Sequence, residues 1–204
     1  FYGFTFSQEL LMLLTISIAI AGYLLGSISS AIITCKLMGL PDPRTQGSNN
    51  PGATNVMRIG GKKAAIITLL GDLLKGLIPV LLVHQFAPGV ENLVAAGLGA
   101  FLGHLYPIFF RFQGGKGVAT AIGVLLATHW TLGGAIVGTW LVMFGVFKIS
   151  SLSALTAFLL APLFAAWLLP WQHPTLTIGV AVITVLIFWR HQSNIKNLIK
   201  GEES

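Results

Sequence analysis

Three short polar segments interrupt a sequence that is otherwise almost entirely apolar, and each combines residue types suited to phosphate binding. Residues 47–55 are rich in glycine, asparagine and hydroxyl side chains, and residues 114–117 place a lysine among three glycines. Residues 190–194 contain arginine, histidine and asparagine. Glycine lets backbone amides converge on an anion, and lysine and arginine supply the opposite charge. If the fold gathers these segments, they form a site for a phosphorylated substrate.

Segment 47–55 has the flexibility and the hydrogen-bonding groups of an anion-binding loop. Gly47 and Gly52 can adopt positive φ, and Arg58 adds a forked cation shortly after them. Further hydrogen-bonding side chains are those of Asn50, Thr54 and Asn55. The same composition is typical of a turn-rich loop that caps the next helix, so this structural interpretation remains open.

Segment 114–117 places Lys116 between Gly115 and Gly117 at the start of an apolar run. The amides and the dipole of a helix N-terminus favour negative charge at such a position. The segment is not a Walker motif, because the first glycine and the Ser or Thr after the lysine are absent, which argues against nucleotide hydrolysis. His104, near the end of the preceding apolar run, is interpreted either as part of this site or as a hydrogen-bonded structural histidine.

Segment 190–194 closes the last apolar run, where Trp189 precedes Arg190 and His191. On a continuing helix His191 and Asn194 are three residues apart and share a face, which would let both contact one substrate group. Such a cluster is also typical of an anchor at the membrane interface. The presence of three such clusters in one chain favours the functional interpretation.

The composition indicates a polytopic membrane protein. Apolar residues make up 54% of the 204 positions and charged residues 9%, and the mean hydropathy is +0.83. The length permits several spans with short connections, so we expect a single transmembrane domain, residues 1–204, with an all-α bundle. Cys35, the one cysteine, excludes an intramolecular disulfide. The chain begins at Phe1, so its native start is left open, and no cleavable signal is expected because the first apolar run is long enough to span.

The apolar runs predict seven transmembrane helices. The predicted spans are residues 10–33, 64–83, 93–110, 118–128, 131–147, 152–169 and 175–189. Dividing residues 118–147 at His129 leaves eleven of the twelve lysines and arginines on one side of the membrane and none in the opposite connections around residues 84–92, 129–130 and 170–174. The positive-inside rule then places the N-terminus outside and the C-terminus in the cytoplasm. The net charge of +6 therefore follows from topology and does not indicate nucleic acid binding.

Other features of the spans predict packing more than chemistry. Asp72 and Lys75, three residues apart in the second span, are expected to pair with each other or to face an aqueous cleft, with a structural role favoured over a proton relay. Glycine pairs four residues apart predict close helix packing at positions 22 and 26, 99 and 103, and 134 and 138. The hydroxyls at the start of the sixth span either cap that helix or join the polar cavity, and they belong to Ser150, Ser151 and Ser153.

Taken in order along the chain, the three polar segments resemble the motifs of the bacterial acyl-phosphate glycerol-3-phosphate acyltransferases, the PlsY family. They are residues 47–55, Gly-His-x-x-Pro at 103–107 leading into Gly-Gly-Lys-Gly-Val-Ala-Thr at 114–120, and Arg-His-x-x-Asn at 190–194. The resemblance covers nearly the whole chain. Two positions depart from the family pattern, since Asn49 stands where glycine is common and Gln113 where lysine is common.

The resemblance implies transfer of a fatty acyl group from an acyl phosphate to the sn-1 hydroxyl of glycerol 3-phosphate, giving lysophosphatidic acid and phosphate in bacterial phospholipid biosynthesis. It implies catalytic roles for Lys116, His191 and Asn194. The implied substrate-binding residues are Ser48, Asn49, Asn50, Gly52, Ala53, Thr54, Asn55, Arg58, His104, Gly114, Gly115, Gly117 and Ser151. It implies neither a cofactor nor a metal. We expect a monomer in the bacterial inner (plasma) membrane, in contact with lipid, with its site facing the cytoplasm.

An acyl phosphate is already activated, so the enzyme needs mainly to position the hydroxyl and to stabilise the oxyanion and the leaving phosphate. The proton acceptor is either His191 or the phosphate of the substrate, and the latter fits a site poor in carboxylates. A rival function is membrane transport of a phosphorylated small metabolite, a fold type that favours inverted repeats and broken helices near the midplane. A non-enzymatic lipid-binding bundle would not need a lysine between glycines. The sequence does not indicate the preferred acyl-chain length.

Overall fold

The computed structural model describes residues 2–169 and 171–203, and over these residues it contains helices and loops but no β-strand. The described helices are α1 (Tyr2–Gly26), α2 (Ser30–Leu37), α3 (Ala53–Phe86), α4 (Val90–Leu105), α5 (Val118–Thr128), α6 (Trp130–Phe147), α7 (Ser150–Leu168), α8 (Pro174–Arg190) and α9 (Gln192–Lys200), with a 3₁₀ turn at Ile108–Phe110. The predicted all-α class is confirmed for the described part of the chain. The predicted connection at 170–174 includes Pro170, which lies outside the described residues.

Five helical stretches within the described ranges are long and apolar enough to cross a membrane, and the bent pair of α8 and α9 makes a sixth candidate. The exception among the seven predicted spans is α5, which has 11 residues. At about 1.5 Å per residue it extends roughly 16 Å, about half the thickness of the hydrocarbon core. Between α5 and α6 the chain is extended at His129, where φ is −156°, which confirms the predicted division of residues 118–147.

The first predicted span, residues 10–33, does not form one uninterrupted helix. The structure ends α1 at Gly26 and begins α2 at Ser30. Within the break the Ser27 hydroxyl donates to the carbonyl oxygen of Tyr23 at 2.7 Å and accepts from the backbone N–H of Ile108 at 3.4 Å. The contact from Ile108 joins this break to a distant part of the chain, and local sequence does not reveal it.

Small residues allow α1 and α4 to pack at backbone contact distance. A Cβ added to Gly26 would lie 2.0 Å from the carbonyl oxygen of Ala100, and one added to Gly103 would lie 2.2 Å from that of Tyr23. The predicted packing of the 22/26 and 99/103 glycine pairs is therefore confirmed. The prediction for Gly134 and Gly138 is wrong, because no atom lies within 4 Å of a Cβ built at either position.

The spanning part of α3 packs closely against the short helix α5. A Cβ on Gly76 would lie 2.1 Å from the carbonyl oxygen of Thr120, and one on Gly123 would lie 2.1 Å from that of Leu73. Gly61, with φ of 74°, interrupts α3 and separates its first two turns, which carry site residues, from the spanning part. The apolar core is built around the fully buried side chains of Phe101, Phe158, Leu105, Leu125, Leu132, Ile136 and Ile187.

Candidate active site

A cavity of about 370 Å³ lies where the three polar segments meet, and its lining has two chemically different halves. The polar half is lined by Ser48, Asn50, Gly52, Ala53, Thr54, Asn55, Arg58, Asp72, His104, Lys116, Gly117, Ser150, Ser151, His191, Asn194 and Glu203. The apolar half is lined by Leu69, Leu70, Leu73, Val118, Ala119, Ile122, Val137, Trp140, Leu141 and Ala154. The structure thus brings residues of all three polar segments to one site.

The loop before α3 takes its shape from the side chain of Asn55, which is 1% exposed. Its Oδ1 accepts from the backbone N–H of Ser48 at 2.9 Å, while its Nδ2 donates to the carbonyl oxygens of Pro43 and Gln46, both at 2.9 Å. Gly47 has φ of 61°, and a Cβ there would lie 2.2 Å from Asn55 Oδ1. Asn55 therefore folds the loop, and Gly47 is required for the close approach.

The free amides of this site come from the first turn of α3. Gly52 is the N-cap residue with extended φ and ψ, and Ala53 and Thr54 are the first two helical residues. The first N–H groups of an α-helix have no partner within the helix and carry the positive end of its dipole. The N–H of Gly52 donates to the carbonyl oxygen of Asn50 at 2.9 Å, so the donors that this helix N-terminus presents to an anion in the cavity are those of Ala53 and Thr54.

Segment 114–117 is held by the side chain of Arg190 and by the backbone of His104. Arg190 donates from Nε to the carbonyl oxygen of Gly115 at 3.1 Å and from Nη2 to that of Gly114 at 2.8 Å. The backbone N–H of Gly115 donates to the carbonyl oxygen of His104 at 3.2 Å. A Cβ on Gly115 would lie 2.3 Å from His104 Nε2. These glycines serve close packing in the structure, and both of their carbonyl oxygens and the N–H of Gly115 have protein partners.

The fixed segment directs Lys116 into the cavity, where its ammonium group donates to Oδ1 of Asn194. Burial lowers the pKa of Lys116 below the ordinary lysine value of 10.5, the carboxylate of Glu203 acts in the opposite direction, and Arg190 and Arg58 add to the lowering. The ammonium is therefore a partly desolvated cation, a state in which its attraction for an anion is stronger than in water.

His191 lies in the bend between α8 and α9 and is 3% exposed. The two helices meet at 60°, so the continuing helix expected through this segment is not formed. His191 and Asn194 nevertheless both line the cavity. The ring Nδ1 lies 2.8 Å from the carbonyl oxygen of Ile187, and because a carbonyl can only accept, Nδ1 carries the proton of the neutral ring. Nε2 is then the acceptor nitrogen.

A buried polar cluster forms the deep end of the polar half. Asp72 pairs with Lys75 at 2.9 Å, which confirms the predicted pairing, and Lys75 also donates to the carbonyl oxygen of Ile28 at 2.9 Å. Nδ1 of His104 lies 3.6 Å from Asp72 Oδ1 and 3.2 Å from the hydroxyl of Thr120. This cluster joins the break after α1 to α3, α4 and α5 beneath segment 114–117.

Hydroxyl groups complete the polar half on the side of α7. The hydroxyls of Thr54 and Ser150 are 3.2 Å apart and connect the N-termini of α3 and α7. Ser151 donates to Glu203 at 2.7 Å. Ser153 instead donates to the carbonyl oxygen of Ile149, the N-cap residue of its own helix, at 2.8 Å. The serines were predicted either to cap the helix or to join the polar cavity. Ser150 and Ser151 line the cavity, and Ser153 does not.

Three of the residues predicted to bind substrate lie outside the cavity lining: Asn49, Gly114 and Gly115. Asn49 is exposed and has φ of 55°, a conformation that glycine adopts readily and that asparagine tolerates better than most residues. Gln113, the other departure from the family pattern, accepts from Arg44 Nη1 at 3.4 Å. A lysine at that position would face the Arg44 guanidinium.

Glu203 was not predicted from the sequence as a site residue. It follows α9 and lies in the polar half of the cavity. Burial tends to raise its pKa, but hydrogen bonds from Ser151, Asn194 and Asn197 hold the pKa of Glu203 below the usual glutamate value. The only sequence signal is the glycine at 201, because glycine commonly ends a helix and reverses the chain direction.

The apolar half of the cavity opens towards the outer surface of the bundle. Leu69 and Leu70 on α3 and Leu141 on α6 line it and are also exposed on that surface. The site can therefore hold a molecule whose phosphate meets the cationic half and whose hydrocarbon chain follows the apolar half towards lipid. Within the described residues no group of three or more His, Cys, Asp or Glu side chains is arranged to hold a metal.

Comparisons with known proteins agree on one family. A family model described as glycerol-3-phosphate acyltransferase matches residues 16–201. The glycerol-3-phosphate acyltransferase of Thioalkalivibrio sulfidiphilus is 53% identical over 192 residues, covering 94% of this chain and 94% of the relative. That of Hydrogenovibrio crunogenus is 54% identical over 185 residues, covering 90% of this chain and 88% of the relative.

Two solved structures of PlsY, an integral membrane glycerol 3-phosphate acyltransferase, share the fold. The glycerol 3-phosphate form has a TM-score of 0.85 at 39% identity, and the lysophosphatidic acid form has a TM-score of 0.84 at 38% identity. Each comparison covers 93% of this chain and 94% of the other.

Proposed function

The chain belongs to the glycerol-3-phosphate acyltransferase family, and we propose that it transfers a fatty acyl group from an acyl phosphate to the sn-1 hydroxyl of glycerol 3-phosphate. The products are lysophosphatidic acid and inorganic phosphate. Family membership makes the chain an integral membrane acyltransferase of phospholipid biosynthesis. The identity of the donor as an acyl phosphate and the transfer to the sn-1 position go beyond family membership and are proposed here.

One observation carries this proposal: a single cavity joins the cations Arg58 and Lys116 to an apolar surface that opens towards lipid. An acyl phosphate has the same division, with a charged phosphate at one end of a hydrocarbon chain. Glycerol 3-phosphate is small and polar, so it fits the polar half. The reacting carbonyl would then lie at the boundary between the halves, near Lys116.

In the proposed reaction the sn-1 oxygen attacks the carbonyl carbon of the acyl phosphate, and the bond from that carbon to the phosphate oxygen breaks. Lys116 and Arg58 balance phosphate charge, and the amides of Ala53 and Thr54 at the start of α3 donate to phosphate oxygens. A side-chain amide has two N–H groups, and Asn194 uses one for Glu203. The other is available to the developing oxyanion, where a preorganised donor lowers the barrier.

The leaving phosphate accepts the hydroxyl proton in this proposal. His191 acts by position, because its unprotonated Nε2 can accept a hydrogen bond from the attacking hydroxyl and orient it. Ser48, Asn50, Gly52, Asn55, His104, Gly117 and Ser151 complete the proposed substrate contacts and their support. Asn49, Gly114 and Gly115 remain predictions as substrate-binding residues. We propose no cofactor and no metal.

The proposal includes the arrangement in the membrane. Seven helices cross the bilayer, namely α1 and α3 to α8, with the N-terminus outside, the C-terminus and the site at the cytoplasmic face of the bacterial inner membrane, and α9 at the interface. Eleven of the twelve lysines and arginines lie on that face, in agreement with the positive-inside rule. We further propose that residues 1–204 act as one domain and as a monomer.

The test is turnover of purified protein with glycerol 3-phosphate and either a long-chain acyl phosphate or the matching acyl-CoA. We expect 1-acyl lysophosphatidic acid and inorganic phosphate from the acyl phosphate alone. Lys116→Ala should lower kcat/KM by about 10²- to 10³-fold, the usual cost of losing a group that stabilises transition-state charge. Lys62→Ala removes an exposed cation outside the cavity lining and should leave kcat/KM unchanged. Turnover of acyl-CoA alone, or uptake of glycerol 3-phosphate into proteoliposomes without acylation, would contradict the proposal.

A further inference from the structure

The carboxylate of Glu203 starts a chain of hydrogen bonds that ends at Lys116. Its Oε1 accepts from the hydroxyl of Ser151 at 2.7 Å and from Nδ2 of Asn194. The side-chain oxygen of Asn194 in turn accepts from the ammonium group of Lys116. Ser151, on α7, fixes the other side of the same carboxylate oxygen. Glu203 is thereby placed behind the cation and the amide that meet the reacting groups.

We propose that Glu203 is a positioning residue for acyl transfer, which fixes the side-chain amide of Asn194 so that its oxygen meets Lys116 and which balances the charge of that lysine. This inference rests on the proposed function. An asparagine amide can rotate by half a turn and exchange its oxygen for its NH₂ group, and an NH₂ facing an ammonium group would set donor against donor. A carboxylate only accepts, so Glu203 selects the NH₂ edge and leaves the oxygen for Lys116.

The charges around Lys116 give Glu203 a second effect. Arg58 faces the lysine from α3, Arg190 from the end of α8 and His191 from the following bend. Asp72 and His104 are the other titratable groups among the described lining residues. Burial and the two arginines lower the pKa of Lys116, and Glu203 opposes them. Removal of the Glu203 charge should therefore let Lys116 lose its proton at a lower pH.

The end of α9 is built to return Glu203 to the cavity. Gly201 has φ of 71°, its N–H donates to the carbonyl oxygen of Leu198 at 3.1 Å, and the N–H of Glu202 donates to that of Asn197 at 2.9 Å. These paired bonds form a Schellman motif, which ends a helix and reverses the chain. The reversal leaves Glu202 exposed and brings Glu203 against Ser151 and Asn194.

The experiment compares Glu203→Gln with Glu202→Gln, which removes the neighbouring exposed carboxylate from the same purified chain. In Glu203→Gln, kcat/KM at neutral pH should fall by about 10- to 100-fold, the equivalent of a lost hydrogen bond to a charged group. The alkaline fall of kcat/KM should also move to lower pH. Glu203→Asp, which keeps the charge, should return that fall towards its original position, and Glu202→Gln should change neither quantity.

A second measurement separates failure of this inference from failure of the proposed function. Binding of inorganic phosphate can be measured as thermal stabilisation of the protein across the same pH range. The pH above which phosphate no longer binds should be lower in Glu203→Gln than in the wild type, even if acyl phosphate proves to be the wrong donor. The inference would be overturned if Glu203→Gln left this pH unchanged, lowered the KM for glycerol 3-phosphate and tightened phosphate binding. Glu203 would then be a carboxylate that competes with phosphate for the site. Unchanged kinetics and binding in Glu203→Gln would overturn it as well.

Discussion

At the scale of single residues, Lys116 is partly desolvated, and the proposed reaction requires its positive charge. Burial lowers its pKa below 10.5, so it loses its proton at a lower pH than an exposed lysine as the pH rises. Activity that needs the ammonium form should therefore fall on the alkaline side before the ordinary lysine range is reached. The measurement is kcat/KM against pH in the wild-type protein, corrected for spontaneous hydrolysis of the acyl phosphate.

Lys116→Arg is the matched variant for this pH dependence. A guanidinium stays protonated up to about pH 12, so the variant should lose the alkaline fall even though its larger planar head lowers the neutral-pH rate. An identical alkaline fall in Lys116→Arg would show that another group controls it.

Gly47 and Asn55 set the shape of the loop before α3, and their contact predicts a sharp effect of one methyl group. In Gly47→Ala the φ of 61° costs about 1–2 kcal/mol, and the new Cβ would also clash with Asn55 Oδ1 at 2.2 Å. Gly39→Ala is the control, because Gly39 has a similar φ of 66° but no atom within 4 Å of its Cβ position. We expect Gly47→Ala to lose far more kcat/KM than Gly39→Ala at similar expression. Equal losses would mean that the Asn55 contact is unimportant.

At the scale of helices, the contact of α1 with α4 depends on glycine. In Gly26→Ala a Cβ would lie 2.0 Å from a backbone oxygen of Ala100, which cannot move as a flexible side chain does. Overpacking of this kind costs about 1–3 kcal/mol, so the midpoint of thermal unfolding in detergent should fall. Gly134→Ala, in open space on α6, should leave the midpoint unchanged or raise it slightly, since alanine favours a helix. A fall of equal size in both variants would argue against a specific α1–α4 contact.

Helix positions could be predicted to within a few residues where an apolar run is bounded by turn residues. The limits of α5 were predicted as residues 118–128, and those of α6 to α8 within two residues, because glycine, histidine and proline mark their ends. The break after Gly26 was not predicted, and the bond found there from Ile108 to Ser27 joins residues more than 80 positions apart, which local sequence does not reveal. Gly134 and Gly138 illustrate the reverse error, because a small-residue spacing permits close packing but does not supply the partner helix.

At the scale of the whole molecule, the residue types of the site could be predicted from the sequence, but the role of each residue could not. Lys116, Arg58 and Thr54 reach the cavity as expected. Arg190, however, lies outside the cavity lining and donates to the carbonyl oxygens of Gly114 and Gly115. Glu203 supplies a carboxylate from beyond the last predicted motif. Both roles depend on where α8 ends and how the chain leaves α9, and these are properties of the packed bundle.

The cavity also bears on the proposed path of the chain through the bilayer. Lys116 precedes α5 and Ser151 follows α6, yet both line one cavity. If that cavity lies at one face of the membrane, as we propose, α5 and α6 together start and finish on the same side. An out-and-back pair satisfies this requirement even though α5 alone extends only about half the hydrocarbon thickness. The same requirement would fail if α5 dipped into the membrane while α6 crossed it.

Cysteine accessibility can test this arrangement, because Cys35 is the one native cysteine and is buried. In a Cys35→Ala background, Glu91→Cys places an exposed thiol in the first turn of α4 and Gln172→Cys places one before α8. Lys62→Cys and Lys196→Cys place exposed thiols on the side predicted to be cytoplasmic. With α5 crossing, an impermeant maleimide should label positions 91 and 172 in intact spheroplasts, and positions 62 and 196 only after permeabilisation. If α5 did not cross while α6 did, positions 91 and 172 would lie on opposite sides, so opposite labelling of these two would refute the seven-span topology and the shared cytoplasmic site with it.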